Sequence, residues 1–526
     1  MNLRRVILRR VILRRVILRR GKPGGNLGRW AGSLSGGVNE RLRSLGKRPF
    51  TPVRTPRLTV RPVVHPRLIL AALAFCGVLV SVSQTIVVPL LPVLPGITHS
   101  PPADVTWLIT VTLLTGAVFT PLLGRAGDMY GKRRVLLIAL ASMVIGSLLC
   151  ASSSDLTVLI VGRAFQGAAV AVVPLGISIL RDELPPGRVI PAIAMMSATL
   201  GVGAAFGIPA ATLVVEYANW HTMFWINLGL GLLDIVLVLL IVPESAVRSR
   251  GRFDILGAVG LSAFLVCLLL AVSKSSSWST TTVIGLYAIA VLMVPLWGWY
   301  ELRTKSPLVD LRVSAKPAVL FTNLGALLIG FAFYANSLST AQLVQEPTWT
   351  GYGLGESIVV SGLCLLPGGV AMVLLSPVSA RISNARGPRF TLTIASVLMA
   401  AGYVVRLFTT SNVAGIVIGA TVVSAGTAVA YSALPALIMH AVPVTETAAA
   451  NGLNTLMRTI GSAICSTVVA TVLANITITD GGRVAPALAA YRIVFVVAGI
   501  AAVVAAGLAL LIPVRRAEPV YEVVRT

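Results

Sequence analysis

The chain has 526 residues, of which 56% are apolar and only 12% charged, and its mean hydropathy is +0.89. A soluble globular protein has about a quarter of its residues charged, so this composition excludes one and points to a polytopic membrane protein. The net charge of +25 does not mark a nucleic-acid binder, because 18 of the 43 Lys and Arg precede residue 68 and most others sit in short turns between apolar runs.

Residues 1–67 form a basic arm that opens on Val-Ile-Leu-Arg-Arg, three times over from Val6 to Arg20. A five-residue period turns about 140° per repeat on a helix and flips faces on a strand, so the arginines gather on no single face. The Gly, Ser and Pro-rich remainder cannot bury enough apolar surface to fold. The arm is expected to be disordered, cytoplasmic and drawn to anionic lipid. It is not expected to be a cleavable signal peptide, since no short apolar region with a small-residue cleavage site precedes the first long run.

Fourteen apolar runs follow, near 68–94, 105–124, 135–153, 157–180, 190–215, 221–242, 254–273, 282–300, 317–340, 355–379, 390–409, 412–440, 450–474 and 489–513. Each has the roughly 20 residues a membrane helix needs. With the amino terminus inside, 16 Lys and Arg fall in inside turns and two, Lys274 and Arg483, in outside turns. That bias predicts a multi-pass protein with both termini in the cytoplasm, residues 514–526 being a cytoplasmic tail.

Between the second and third runs lies Gly124-Arg-Ala-Gly-Asp128-Met-Tyr-Gly131-Lys132-Arg133-Arg134, read as a charged turn at the membrane surface. Asp128 is suited to meet a helix N-terminus or an arginine. Pro121, Arg125, Asp128, Gly131 and Arg133 reappear at the same spacing as Pro377, Arg381, Asn384, Gly387 and Arg389, 256 residues later. A duplication with the second copy eight runs on implies a six-helix half at 68–242, two extra helices at 254–300 and a second six-helix half at 317–513. Such twinned bundles place a substrate cavity between the halves.

These residues resemble the major facilitator superfamily, in particular its fourteen-span drug:proton antiporter branch of the EmrB/QacA type, over about 68–513. The match rests first on Gly124, Asp128, Gly131, Lys132, Arg133 and Arg134. The resemblance implies that Asp128 latches the two halves in an outward-open state; a topology determinant is the plainer alternative. Arg163-Ala-Phe-Gln166-Gly167 is similar to the family's fourth-span motif, which implies proton coupling through Arg163 and Gln166. A buried arginine must face the bundle interior and find partners, and a structural hub is the alternative there. The fifth run keeps a GxxxG at Gly203 and Gly207 for close helix packing, but Pro209 is shifted by one from the antiporter pattern and the trailing glycines are Ala211 and Thr212.

In the first run Ser83, beside Gln84, stands where many relatives carry an acid, so another proton carrier is needed. Asp234 is the candidate, two helical turns from Asn227 on one face; the competing reading pairs it permanently, with Arg163 as a partner. Asn451, Asn454 and Arg458 share a face of the thirteenth run and are candidates to line a passage, or else are capping and packing contacts. Arg406, near the outer end of the eleventh run, is expected to snorkel.

The five cysteines show no CxxC pair and read as small core residues. HExxH is absent, and Gly127-Asp-Met-Tyr-Gly131-Lys132 lacks the spacing and the hydroxyl of a Walker loop. The chain is therefore expected to be no enzyme, with no cofactor, no metal and no nucleic-acid partner. The expected function is export of amphipathic drug-like or secondary-metabolite molecules from a monomer in the plasma membrane, in exchange for protons. A facilitator or symporter of the same fold, or a membrane sensor without transport, are the alternatives.

Overall fold

In lipid the backbone must satisfy its own hydrogen bonds, so long apolar runs become helices. The computed structural model describes residues 65–87, 90, 94–249, 251–274 and 278–513. The arm up to residue 64, with its five-residue repeat, and the tail from 514 lie outside the described residues.

Among the described residues, thirteen helices are long and apolar enough to cross a membrane. They are Pro66–Thr85, Trp107–Tyr130, Lys132–Ser152, Leu156–Glu183, His221–Ile241, Ile255–Ser273, Thr280–Arg303, Pro317–Gln345, Val359–Arg386, Pro388–Phe408, Val413–Ala441, one including Thr447–Asn475, and Leu488–Leu511. A further long helix, Pro186–Tyr217, occupies the place of the fifth run. Numbered in chain order, these are the first to fourteenth spans.

Three features differ from the sequence reading. The first span stops at Thr85 rather than running to 94. The charged stretch after the second run is not a turn from residue 124. The helix continues through Asp128 to Tyr130, and only Gly131, at φ 119°, separates it from the third span. A β-hairpin unforeseen in the sequence, β1 Thr477–Asp480 and β2 Arg483–Pro486, joins the last two spans. Its turn holds Gly481 and Gly482 at positive φ, which a side chain would disfavour.

Two apolar cores mark the halves. One gathers Leu73, Leu136, Met143, Leu175, Met196 and Val238; the other gathers Ile329, Leu392, Met399, Leu434, Val469 and Phe495. The repeat is visible in three dimensions. Gly387, at φ 85°, separates the tenth and eleventh spans as Gly131 separates the second and third. Arg133 donates to the Leu239 carbonyl near the end of the sixth span, and Arg389 donates to the Leu510 carbonyl near the end of the fourteenth. Each half thus closes its last helix onto its third with the same basic residue.

The seventh span packs Ala258, Leu261 and Leu265 with Ala117 of the second span and with Leu456 and Ile460 of the thirteenth. It therefore covers a seam between the halves. The eighth span packs mainly on the seventh and leaves Ile284, Val291, Leu292 and Leu296 exposed, a surface suited to lipid.

The fifth span lies on the first through its GxxxG. A Cβ on Gly203 would fall 2.2 Å from Ser81 Cβ, and one on Gly207 would fall 2.0 Å from Thr85 Oγ1. The close approach lets Thr85 donate to the Gly203 carbonyl at 3.2 Å and Ser81 donate to the Leu200 carbonyl at 2.9 Å. Overpacking of this kind costs about 1–3 kcal/mol. Gly207→Ala is expected to lower the thermal unfolding midpoint of detergent-solubilised protein, and Gly207→Val to lower it further.

Candidate functional site

Asp128 sits in the last turn of the second span, fully buried. Its Oδ2 accepts from the Ala449 amide at 2.9 Å and its Oδ1 from the Ala448 amide at 3.3 Å. Both amides belong to the first turn of the thirteenth span, where backbone donors have no partner within their own helix and the dipole is positive. A carboxylate from one half thus caps a helix of the other. Gly124 and Gly452 allow the approach: a Cβ on the first would lie 2.8 Å from the Ala448 oxygen, and one on the second 3.0 Å from the Thr120 oxygen.

The basic residues around Asp128 separate by task. Lys132 Nζ lies 3.7 Å from Asp128 and 2.6 Å from Asp182, with all three side chains buried. The Arg133 amide donates to Glu244 at 3.3 Å, and the exposed Arg134 lies 3.8 Å from the same carboxylate. Arg181 adds a second link across the halves by donating to Thr447 Oγ1. Asn384, which takes the place of Asp128 in the second copy, is exposed, so this carboxylate cap has no twin built from the same position.

A second constellation lies within the first half. Arg163, buried, donates from NH1 to the Ser83 carbonyl at 2.8 Å and to Gln166 Oε1 at 2.6 Å, and from Nε to the Leu108 carbonyl at 3.2 Å. Gln166 Nε2 donates to Ser147 Oγ at 2.9 Å, and Asn227 Nδ2 donates to the same hydroxyl at 2.7 Å and to Ser83 Oγ at 3.4 Å. One polar network thereby ties together the first, second, third, fourth and sixth spans. Asn227 Oδ1 stays buried without a partner, and so does Gln84 Nε2, which does not join the network.

Asp234 does not pair with Arg163. No Lys, Arg or His among the described residues lies within 4.0 Å of its carboxylate. Its Oδ1 accepts from Cys76 Sγ at 3.1 Å, and its Oδ2 is buried with no partner. The cysteine read as plain core filling is thus the polar neighbour of the one acid buried in the sixth span. Ser147, the hub shared by Gln166 and Asn227, was not singled out from the sequence; its only signal is a hydroxyl, one of several serines in the third run.

In the second half, Asn454 Nδ2 donates to Asn323 Oδ1 at 3.0 Å, joining the thirteenth span to the ninth. Asn451 Nδ2 bonds back to the Thr447 carbonyl at 2.9 Å, leaving its buried Oδ1 unpartnered. Arg458 lies with its guanidinium 4.5 Å over the Tyr431 ring and donates to Thr455 Oγ1 at 3.0 Å. Arg406 does not snorkel. It is 2% exposed, donates to the Asn336 carbonyl at 3.1 Å and to Asn336 Oδ1, and stacks 4.3 Å over Phe495. Gly419 makes this possible, since a Cβ there would lie 2.6 Å from Arg406 Cγ.

Gly203 and Gly207 lie on the first span as described above, while the side chain of Pro209 lies outside the described residues.

Known proteins share this architecture. The chain is similar to the multidrug resistance protein Stp of Mycobacterium tuberculosis, at 26% identity over 70% of this chain and 68% of that protein. It is 29% identical to the tetracenomycin C resistance and export protein of Streptomyces glaucescens over 67% of this chain and 65% of that one. An uncharacterized MFS-type transporter of M. tuberculosis is 28% identical over 60% of this chain, and the chain spans only 45% of its length. Among solved structures, that of the human organic anion transporter MFSD10 superposes with a TM-score of 0.62. It covers 85% of this chain and all of the other at 15% identity, a likeness of fold alone. The family model described as Major Facilitator Superfamily matches residues 73–466 and again 360–523, and the chain belongs to that superfamily.

Proposed function

We infer that the protein is a secondary active exporter of amphipathic, drug-like or secondary-metabolite molecules, working by alternating access in the plasma membrane and driven by inward proton flow. The observation that carries this reading is the Asp128 cap. It joins the halves through two hydrogen bonds and one helix dipole, contacts that can break and reform as the halves rock. The Lys and Arg bias supports a cytoplasmic position for the cap, which would make this a conformation closed on that side. The names of Stp and of the tetracenomycin C protein support drug or antibiotic export. Asp234 is the proton carrier in this reading, because it is a buried carboxyl with a free oxygen and no fixed cation.

The test is dye and drug efflux into energised inverted vesicles. Asp234→Asn is expected to lose at least tenfold of the proton-driven rate while substrate binding persists. Wild-type rates in Asp234→Asn would remove the carrier role. Uptake that ignores the pH gradient in the wild type would favour a facilitator, a reading to which Ser83 and the altered fifth-span motif lend support.

A further inference from the structure

The two extra helices carry a pair of carboxyl groups used by neither the cap nor the Arg163 network. Asp254 caps the seventh span, where its Oδ1 accepts from the Gly257 amide at 2.8 Å and from the Tyr300 hydroxyl at 2.9 Å. Glu301 lies in the last turn of the eighth span, and its Oε2 accepts from the Leu308 amide at 3.1 Å. The residues are 8% and 2% exposed. Each has a second oxygen, Asp254 Oδ2 and Glu301 Oε1, that is buried with no partner. Both of these oxygens are aimed at one place. A Cβ on Gly257 would lie 2.5 Å from the first and 2.6 Å from the second. They are therefore within about 5 Å of each other, where two like charges resist joint ionisation.

We propose that Asp254 and Glu301 bind one proton between them, directly or through one water, forming a proton site in the extra helix pair separate from Asp234. One ionised and one protonated carboxyl would satisfy both free oxygens, as a donor and an acceptor. A divalent metal fits less well, because calcium and magnesium take about six oxygen ligands and no cluster of three ligating side chains occurs among the described residues. No cation lies within 4.0 Å of either carboxyl among the described residues. Tyr300 already donates to Asp254, while Lys305, Asp310 and Glu446 line a cavity of about 160 Å³ that also touches Arg125.

This assignment does not depend on transport. Its test is infrared difference spectroscopy of the full chain in lipid nanodiscs at neutral pH. Asp254→Asn and Glu301→Gln are each expected to remove one protonated-carboxyl C=O band, and the double variant to remove no more than one. Asp234→Asn should act on a different band. Retention of every carboxyl band in both single variants would overturn the proposal, as would loss of two bands in the double variant. Saturable removal of the band by added Na⁺ or Mg²⁺ would instead identify a metal-cation site and equally overturn it. Should the amide variants fail to fold, Gly257→Ala places a methyl between the two oxygens and is expected to remove the same band, whereas an unchanged band would refute the pairing.

Discussion

Replacing Asp128 with alanine is expected to cut proton-driven efflux at least tenfold while leaving the folded protein in the membrane. The carboxylate accepts from two amides of the opposite half, Ala448 and Ala449. Hydrogen bonds to a charged group contribute about 1.5–3 kcal/mol each, and about 1.4 kcal/mol is a factor of ten. In the proposed alternating-access cycle these bonds exist only while the halves meet at that end, so their loss would act on the equilibrium between conformers rather than on either core. Asp128→Asn, which keeps an acceptor but not the charge, should fall between wild type and alanine. Lys132 remains paired with Asp182 in both variants, which limits the damage to folding. A cysteine placed at Leu453, beside the cavity under the cap, should be alkylated faster in Asp128→Ala than in the wild type. Unchanged efflux together with unchanged alkylation would reduce Asp128 to a determinant of topology.

The contrast between what the sequence disclosed and what it hid has a physical cause. The helices and their order were legible, thirteen of them long and apolar enough to span and a further long one in the place of the fifth run, because lipid leaves the backbone few alternatives. Helix ends were less so, because residues 124–130, with Arg125, Asp128 and two glycines, read as a turn and yet complete a helix that projects beyond the apolar run. The hairpin at 477–486 had its signal in Asp480-Gly481-Gly482 between β-branched residues, but its strands are too short to stand out beside helices of 20 or more residues.

Partners across the fold were the least legible. Nothing near Asp128 announces that its amides lie 320 and 321 residues away, although a carboxylate suited to a helix N-terminus could be recognised. Arg163 and Gln166 were chosen together from a fourth-span motif, Ser83 from the position where relatives carry an acid and Asn227 from the face it shares with Asp234, and their meeting depends on how five helices pack. Arg406 was misjudged because its depth was read along its own helix. The glycine that makes room for it is on the next one. Asp254 and Glu301 escaped notice for a similar reason: each sits at a helix end, where an acid is usually solvated, and only the packing of the eighth span on the seventh buries them together.

Arg163→Ala is expected to have the largest effect on stability in the chain. Its guanidinium serves the carbonyls of Ser83 and Leu108 and the Gln166 side chain; Leu108 keeps a bond from Thr112 Oγ1, but the Ser83 and Gln166 acceptors left unmet cost about 1–3 kcal/mol each. With the cavity left by the lost side chain, the total is about 5 kcal/mol or more, comparable with the whole stability of many domains. Little folded protein should survive solubilisation and size-exclusion chromatography. Arg163→Lys separates the hub from the proton-coupling role. An ammonium keeps the charge but cannot reproduce the planar fork that reaches three acceptors on two sides. It should therefore fold with a lowered unfolding midpoint. If Arg163 also takes part in coupling, efflux per folded molecule in the lysine variant drops about tenfold and responds less to the pH gradient. If it is only a hub, efflux per folded molecule stays at the wild-type rate. A fully stable Arg163→Ala would contradict the hub role, since the network would then be redundant with the packing around it.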